Sequence, residues 1–232
     1  MIKYIPTSLT AGNLLCGFLS IMIADFYWGP ILLLGCFLFD SFDGVLARKL
    51  NAQSDFGKQM DSLADVISFG AAPAYYYSLI SPDPGDRLVT MLACGMIVLA
   101  GTIRLAKFNI SPSKPYFMGL PIPANAVFYI GIMIAFYNKN EMITNFFSSK
   151  VNYVGTSLFL SAMMLSFGLR MFSTKGMTKN WRDNIYQYIM FALTFVIVIR
   201  YGFASVSLLV LAYIFLSIIN TLTSRAKEKV LI

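Results

Sequence analysis

The chain has 232 residues, 57% hydrophobic and 12% charged, where a soluble domain carries about 25% charged residues. That balance excludes a soluble globular protein and leaves one integral membrane domain, with no room for a separate soluble one. The net charge is +7 and histidine is absent, so imidazole cannot serve as base, phosphoryl carrier or zinc ligand.

Cys16, Cys36 and Cys94 lie inside apolar segments without Cys-x-x-Cys spacing. They read as packing residues, not as a disulfide framework or thiolate metal site.

A membrane-spanning helix needs about 20 mainly apolar residues. In chain order, the apolar runs predict spans over about 8–27, 29–49, 57–80, 87–108, 120–137, 152–171, 184–200 and 203–222. Pro6, Pro30, the turn at 81–86 and the loops at 111–115 and 174–183 punctuate them. Residues 1–5 lack the small-residue cleavage site of a removable signal peptide. The expected fold is an all-α integral membrane protein, a bundle of about eight transmembrane helices. Residues 1–137 are expected to carry the chemistry, and 138–232 to add further helices.

Basic residues orient this bundle. With the N-terminus in the cytosol, the inner side holds Lys3, Arg48, Lys49, Lys58, Arg104, Lys107, Lys114, Arg170, Lys175, Lys179, Arg182, Arg225, Lys227 and Lys229. Only Arg87, Lys139, Lys150 and Arg200 fall outside. The positive-inside rule then puts both termini in the cytosol of a multi-pass cell-membrane protein. Cations spread between spans, not gathered on one soluble face, also argue against a nucleic-acid partner.

Residues 40–65 hold Asp40, Asp43, Asp55, Asp61 and Asp65, out of eleven acidic residues in the whole chain. Carboxylates at membrane depth cost ~2.5–3.5 kcal/mol each, so Asp40, Asp43, Asp61 and Asp65 together demand roughly 10 kcal/mol of compensation. Helical phase puts Asp40, Asp43, Gly44 and Ala47 on one face of the second span. Gly57, Asp61 and Asp65 share one face of the third.

Two antiparallel neighbours can turn those faces together, giving a four-carboxylate cage in the cytosolic half. Its oxygens suit two hard divalent cations, Mg²⁺ or Mn²⁺, with Ca²⁺ able to take the same donors. Two such ions ~3.5–4 Å apart could clamp a pyrophosphate. Gly44, Ala47 and Gly57 leave a slot for a flat base or sugar, and Arg48 suits a phosphate. Simple salt bridging by Arg48, Lys49 and Lys58 leaves too few cations for five acids.

The array D-x-x-D-G-x-x-A-R-x8-G-x-x-x-D-x-x-x-D resembles the defining motif of the CDP-alcohol phosphotransferases, with every fixed position present. These enzymes move a phosphate-bearing group from a CDP-linked donor to an alcohol and release CMP. The resemblance implies that Asp40 and Asp61 bridge two metals, that Asp43 completes one site, and that Asp65 ligates the other metal and acts as base. It implies that Gly44, Ala47 and Gly57 line a cytidine pocket, that Arg48 and Ser54 contact the donor phosphates, and that the protein is a homodimer. Many members carry Pro-Asn near the N-terminus; Pro6-Thr7 stands there in this chain, and a nucleotide contact is expected of it.

The acceptor is read from the residues that follow. Asp61-Ser-Leu-Ala-Asp65-Val-Ile-Ser68-Phe-Gly-Ala-Ala-Pro-Ala74 resembles the phosphatidylserine synthase branch. So do Arg104-Leu-Ala-Lys107-Phe-Asn109 and Gly119-Leu-Pro-Ile-Pro123-Ala-Asn125. The likeness covers roughly residues 4–125. It implies L-serine as acceptor and CDP-diacylglycerol, or in an archaeon CDP-archaeol, as donor, among membrane lipids.

Arg104 is expected to meet the serine carboxylate and Ser68 to hydrogen-bond the acceptor. Against these stand a membrane anchor for Arg104 and a backbone bond for Ser68. Two rival functions remain. A sibling enzyme using glycerol phosphate or inositol phosphate would need more cations beside the site. A cation transporter would hold its acids nearer the midplane.

Overall fold

A computed structural model of the chain describes residues 5–111, 116–171 and 184–230. Lys3, Lys114, Lys175, Lys179, Arg182 and the loop at 174–183 lie outside the described residues, as do the side chains of Arg225, Lys227 and Lys229.

The described residues are all-α apart from one pair of two-residue strands. Among the described residues, four helical segments are long and apolar enough to cross a membrane: Ile5–Ile23, Trp28–Lys49, Arg87–Ile110 and Phe203–Thr223. Large apolar side chains such as Leu15, Met22, Leu38, Met91, Phe195 and Phe215 face outward, while Thr10, Asn13, Asp43, Asp65, Arg104 and Asn125 are buried. That arrangement is what a lipid environment selects, and the chain is a membrane protein.

Helix α1 (Ile5–Ile23) starts three residues before its expected boundary, with Pro6 in the first turn where its missing N–H is harmless. Helix α2 (Trp28–Lys49) stops where Asn51 takes a left-handed conformation at φ 48°. Helix α3 (Asp55–Asp65) begins at Ser54, whose side chain accepts a bond from Gly57 N at 3.0 Å. The eight-residue gap in the motif thus contains a helix stop and a helix start. From α3 the chain continues through a π-helical turn (Val66–Ala71) into α4 (Ala72–Leu79), so the expected third span is one run with a changed pitch after Asp65.

Then come α5 (Arg87–Ile110), β1 (Phe117–Met118), α6 (Ile122–Tyr137) and an unanticipated short α7 (Glu141–Phe147). Helix α8 (Lys150–Leu165) is followed by β2 (Arg170–Met171), α9 (Ile185–Tyr201), a 3₁₀ turn (Phe203–Ser205) and α10 (Val206–Val230). The expected span at 152–171 is cut short at Leu165. There the loop before α6 docks on the helix end: Leu120 N donates to Met163 O at 3.0 Å, and Gly119 N to Leu169 O at 3.0 Å. Gly119 has φ +69°, and a Cβ there would lie 2.5 Å from the Met164 carbonyl. β1 and β2 pair antiparallel, Phe117 with Met171 and Met118 with Arg170.

Packing centres on two buried clusters, one joining α4, α5, α6, α8 and α10, the other joining α2, the π turn, α4 and α6. Small residues permit the closest approaches. A Cβ on Gly17 would clash with Ser68, and one on Gly29 with the Tyr76 hydroxyl. The two halves of the motif face each other through their carboxylates, Asp40 of α2 with Asp61 and Asp65 of α3, as helical phase predicts. Their backbones pack more closely on α1 than on each other.

Candidate active site

A cavity of about 590 Å³ opens among α1, α2 and α3. Its lining includes Pro6, Thr7, Gly44, Ala47, Arg48, Ser54 and Gly57, every residue expected to meet the CDP donor. Asp43 and Asp61 line it too, with Thr10, Ala52, Gln53, Asp55 and Lys58, which sequence reasoning did not assign. The rim is exposed at Arg48, Ser54 and Lys58, while Thr10 and Asp43 are buried. Nothing but Arg48 Nη1, at 3.8 Å, comes within 4 Å of a Cβ added to Gly44, so that glycine keeps space open.

Asp40, Asp61 and Asp65 each offer a carboxylate oxygen, and these oxygens lie within 4.8 Å of one another. Asp65 is buried, Asp40 and Asp61 half-buried. The fourth carboxylate stands outside this group. Asp43 Oδ2 accepts a bond from Thr10 Oγ1 at 2.6 Å, which draws it toward α1, so the expected cage of four becomes a group of three plus one. Asn13, one turn further along α1, donates from Nδ2 to Asp65 Oδ1 at 3.2 Å.

Thr10 and Asn13 are the carboxylates' neighbours that sequence reasoning missed. Thr10 and Asn13 at i,i+3, in a helix that also carries Thr7, Ser8 and Ser20, were the available signal. Asp61 Oδ1 is buried without a hydrogen-bond partner. An all-oxygen donor set with an orphaned buried oxygen fits a hard divalent cation.

The acceptor residues diverge. Ser68 is fully buried, and its hydroxyl donates to the Asn13 carbonyl at 3.0 Å, holding the π turn against α1. The bond crosses between elements instead of reaching the preceding turn. Arg104 is buried on α5, near enough to Asp65 to interact electrostatically. Asn109, at the end of α5, ties that helix to α3. Its Nδ2 donates to Ser62 Oγ at 2.7 Å, and its carbonyl accepts from Lys58 Nζ at 2.7 Å.

The sequence model of the CDP-alcohol phosphatidyltransferase family matches residues 3–169. The chain belongs to this family. The resemblance read from the motif therefore holds, and the match takes in the whole cavity but ends before α9 and α10.

Among similar proteins, the CDP-diacylglycerol–serine O-phosphatidyltransferase of Bacillus subtilis (strain 168) is 39% identical over 128 residues, 52% of this chain and 70% of that one. The enzyme of the same name from Helicobacter pylori (strain J99) is 35% identical over 170 residues, 69% of each chain. The archaetidylserine synthase of Methanothermobacter thermautotrophicus is 42% identical over 129 residues, 53% of this chain and 54% of that protein.

Proposed function

We propose that this protein transfers a phosphatidyl group from CDP-diacylglycerol, or the ether-linked equivalent from CDP-archaeol, to the hydroxyl of L-serine. The products are phosphatidylserine or archaetidylserine, and CMP. One observation carries the reading: the motif residues expected to meet the donor line a single cavity, and Asp61 links that cavity to Asp40 and Asp65. The names of the bacterial and archaeal relatives support serine as the acceptor and leave both lipid tails open.

In this reading Asp40, Asp43, Asp61 and Asp65 hold two divalent cations, Mg²⁺ or Mn²⁺. When bound, the cations would neutralise the donor pyrophosphate and the charge that develops on its oxygens. Arg48 and the Ser54 end of α3 orient the phosphates from the rim. Pro6, Thr7, Gly44, Ala47 and Gly57 receive the cytidine, and Arg104 receives the serine carboxylate.

Asp65 takes the serine hydroxyl proton as that oxygen bonds to the lipid-side phosphorus, while the phosphorus–oxygen bond to CMP breaks. Asn13 fixes the orientation of Asp65 by its bond to Oδ1. A carboxylate is a weak base, so positioning supplies most of the rate.

The proposal includes a homodimer of one membrane domain with eight crossings, in which residues 1–137 perform the chemistry. Both termini and the cavity face the cytosol, as the asymmetry of basic residues supports. The test supplies CDP-diacylglycerol and Mn²⁺ with labelled serine or labelled glycerol phosphate. Serine-dependent CMP release is expected; release with glycerol phosphate and not with serine overturns the acceptor.

A further inference from the structure

The end of α5 closes a ring of hydrogen bonds on α3. Asn109 Nδ2 donates to Ser62 Oγ at 2.7 Å, and Ser62 Oγ donates to the Lys58 carbonyl at 3.1 Å. Lys58 Nζ completes the ring by donating to the Asn109 carbonyl at 2.7 Å. Lys58 and Ser62 share one face of α3 at i,i+4, beside the face that carries Gly57, Asp61 and Asp65. The ring therefore fixes the rotation of α3 and the place of the lysine's ammonium together.

A lysine near a helix C-terminus often caps its last carbonyls, and that alone would account for the bond. The position of Lys58 goes further. It lines the cavity at the exposed rim, and Arg48 is the other basic residue in that lining among the described residues. Asp43, Asp55 and Asp61 line the same cavity, yet among the described residues none of them forms an ion pair with Lys58.

An ammonium has three N–H donors, so one bond to a carbonyl leaves two for a ligand. Holding the long side chain in place beforehand removes part of the entropy cost of that contact. Arg48 stands on α2 and Lys58 on α3, so an anion in the cavity is offered a cation from each of two walls.

We propose that Lys58 is a further donor-binding residue, its ammonium meeting the pyrophosphate across the cavity from Arg48, and that Asn109 is the positioning residue that holds it there. This rests on the CDP-donor reading above and is independent of the acceptor. It gives α5, which carries Arg104, a part in holding the donor.

The test measures binding of CDP, and of cytidine, which lacks the phosphates, to the full-length enzyme with Mn²⁺, beside the KM for CDP-diacylglycerol. In Lys58→Met the Kd for CDP and the KM for CDP-diacylglycerol should each rise about tenfold, as for loss of a hydrogen bond to a charged group. Cytidine affinity and the KM for serine should not change. Lys58→Gln keeps a donor for the Asn109 carbonyl without the charge, and should lose CDP as far as Lys58→Met does. It carries the test if the methionine form does not fold. Asn109→Ala should weaken CDP binding about threefold, and should add nothing once Lys58 is already methionine.

An unchanged CDP affinity in Lys58→Met or Lys58→Gln, or an equal loss of CDP and cytidine, overturns the assignment of Lys58. A loss from Asn109→Ala that persists in the Lys58→Met background overturns Asn109 as its positioning residue. If the wild-type enzyme binds no CDP, the donor reading has failed first, and both assignments fall with it.

Discussion

The helical run from α3 to α4 carries two polar regions that treat their hydrogen bonds differently. About 18 Å beyond Asp65 along the run, Tyr77 of α4 stacks on Tyr153 of α8 with ring centroids 4.3 Å apart and planes 5° from parallel. Each hydroxyl donates to the other residue's carbonyl, at 2.6 and 3.1 Å. Tyr76 likewise donates to Ser20 O at 2.7 Å, and of these buried rings only Tyr129 keeps a hydroxyl without a partner.

Around the carboxylates the pattern reverses. Asp61 Oδ1 and Asn13 Oδ1 are buried and unpartnered, three acids share one small volume, and a cavity adjoins them. The tyrosine pair closes its polar bonds where it holds two helices together, while the carboxylate group leaves acceptors open beside a cavity.

The comparison can be broken at either end. The largest effect is expected from Asp65→Asn, which should lower transfer at least a hundredfold with helicity and melting temperature retained; more than a tenth of normal activity would remove Asp65 as base. Chelating the divalent cations should abolish CMP release and Mn²⁺ should restore it, with Mn²⁺ binding lost in Asp61→Asn when followed by electron paramagnetic resonance.

Tyr77→Ala should act on stability instead, costing about 3–5 kcal/mol in thermal unfolding while turnover per folded molecule stays near normal. If turnover falls as far as stability, the two regions are not separate. Thr10→Val removes the donor to Asp43 and should lower kcat/KM about tenfold with little change in melting temperature.

The smallest effect belongs to Asp86, which caps α5 through Val89 N and pairs with Lys150 at the start of α8. The Lys150 ammonium, and then the Val89 N–H, hold the Asp86 carboxyl below its ordinary value of 3.8. A carboxyl lowered in the folded state stabilises above its unfolded value, and that contribution is lost as pH falls through the folded one. Asp86→Asn should therefore shift the melting temperature by no more than about 2 °C at pH 7, and by nothing in strong acid.

The four long helices, the motif and the residues that line one cavity were legible because each depends on local rules. Apolar length marks a crossing, and a 3.6-residue period puts Gly44 and Ala47 on the face of Asp40 and Asp43. The reading failed where one helix had to be set against another. It brought the faces of α2 and α3 together but overlooked Thr10 and Asn13 on α1, which bond to Asp43 and Asp65. It ran the sixth span to 171, since nothing in its apolar sequence announces that the loop at Gly119 docks on Met163 and Leu169.

What the sequence determined by itself is the inventory: carboxylates too costly to leave at membrane depth without a partner, spaced to share helix faces, in a chain with no imidazole to replace them. Only the tertiary structure decided which groups meet. Thr10 reaches Asp43 across 33 residues, Asn13 reaches Asp65 across 52, and Ser68 reaches Asn13 across 55. Such bonds depend on how far each helix is rotated about its axis when packed. That rotation is set by close contacts such as Gly17 against Ser68, which helical periodicity alone does not encode.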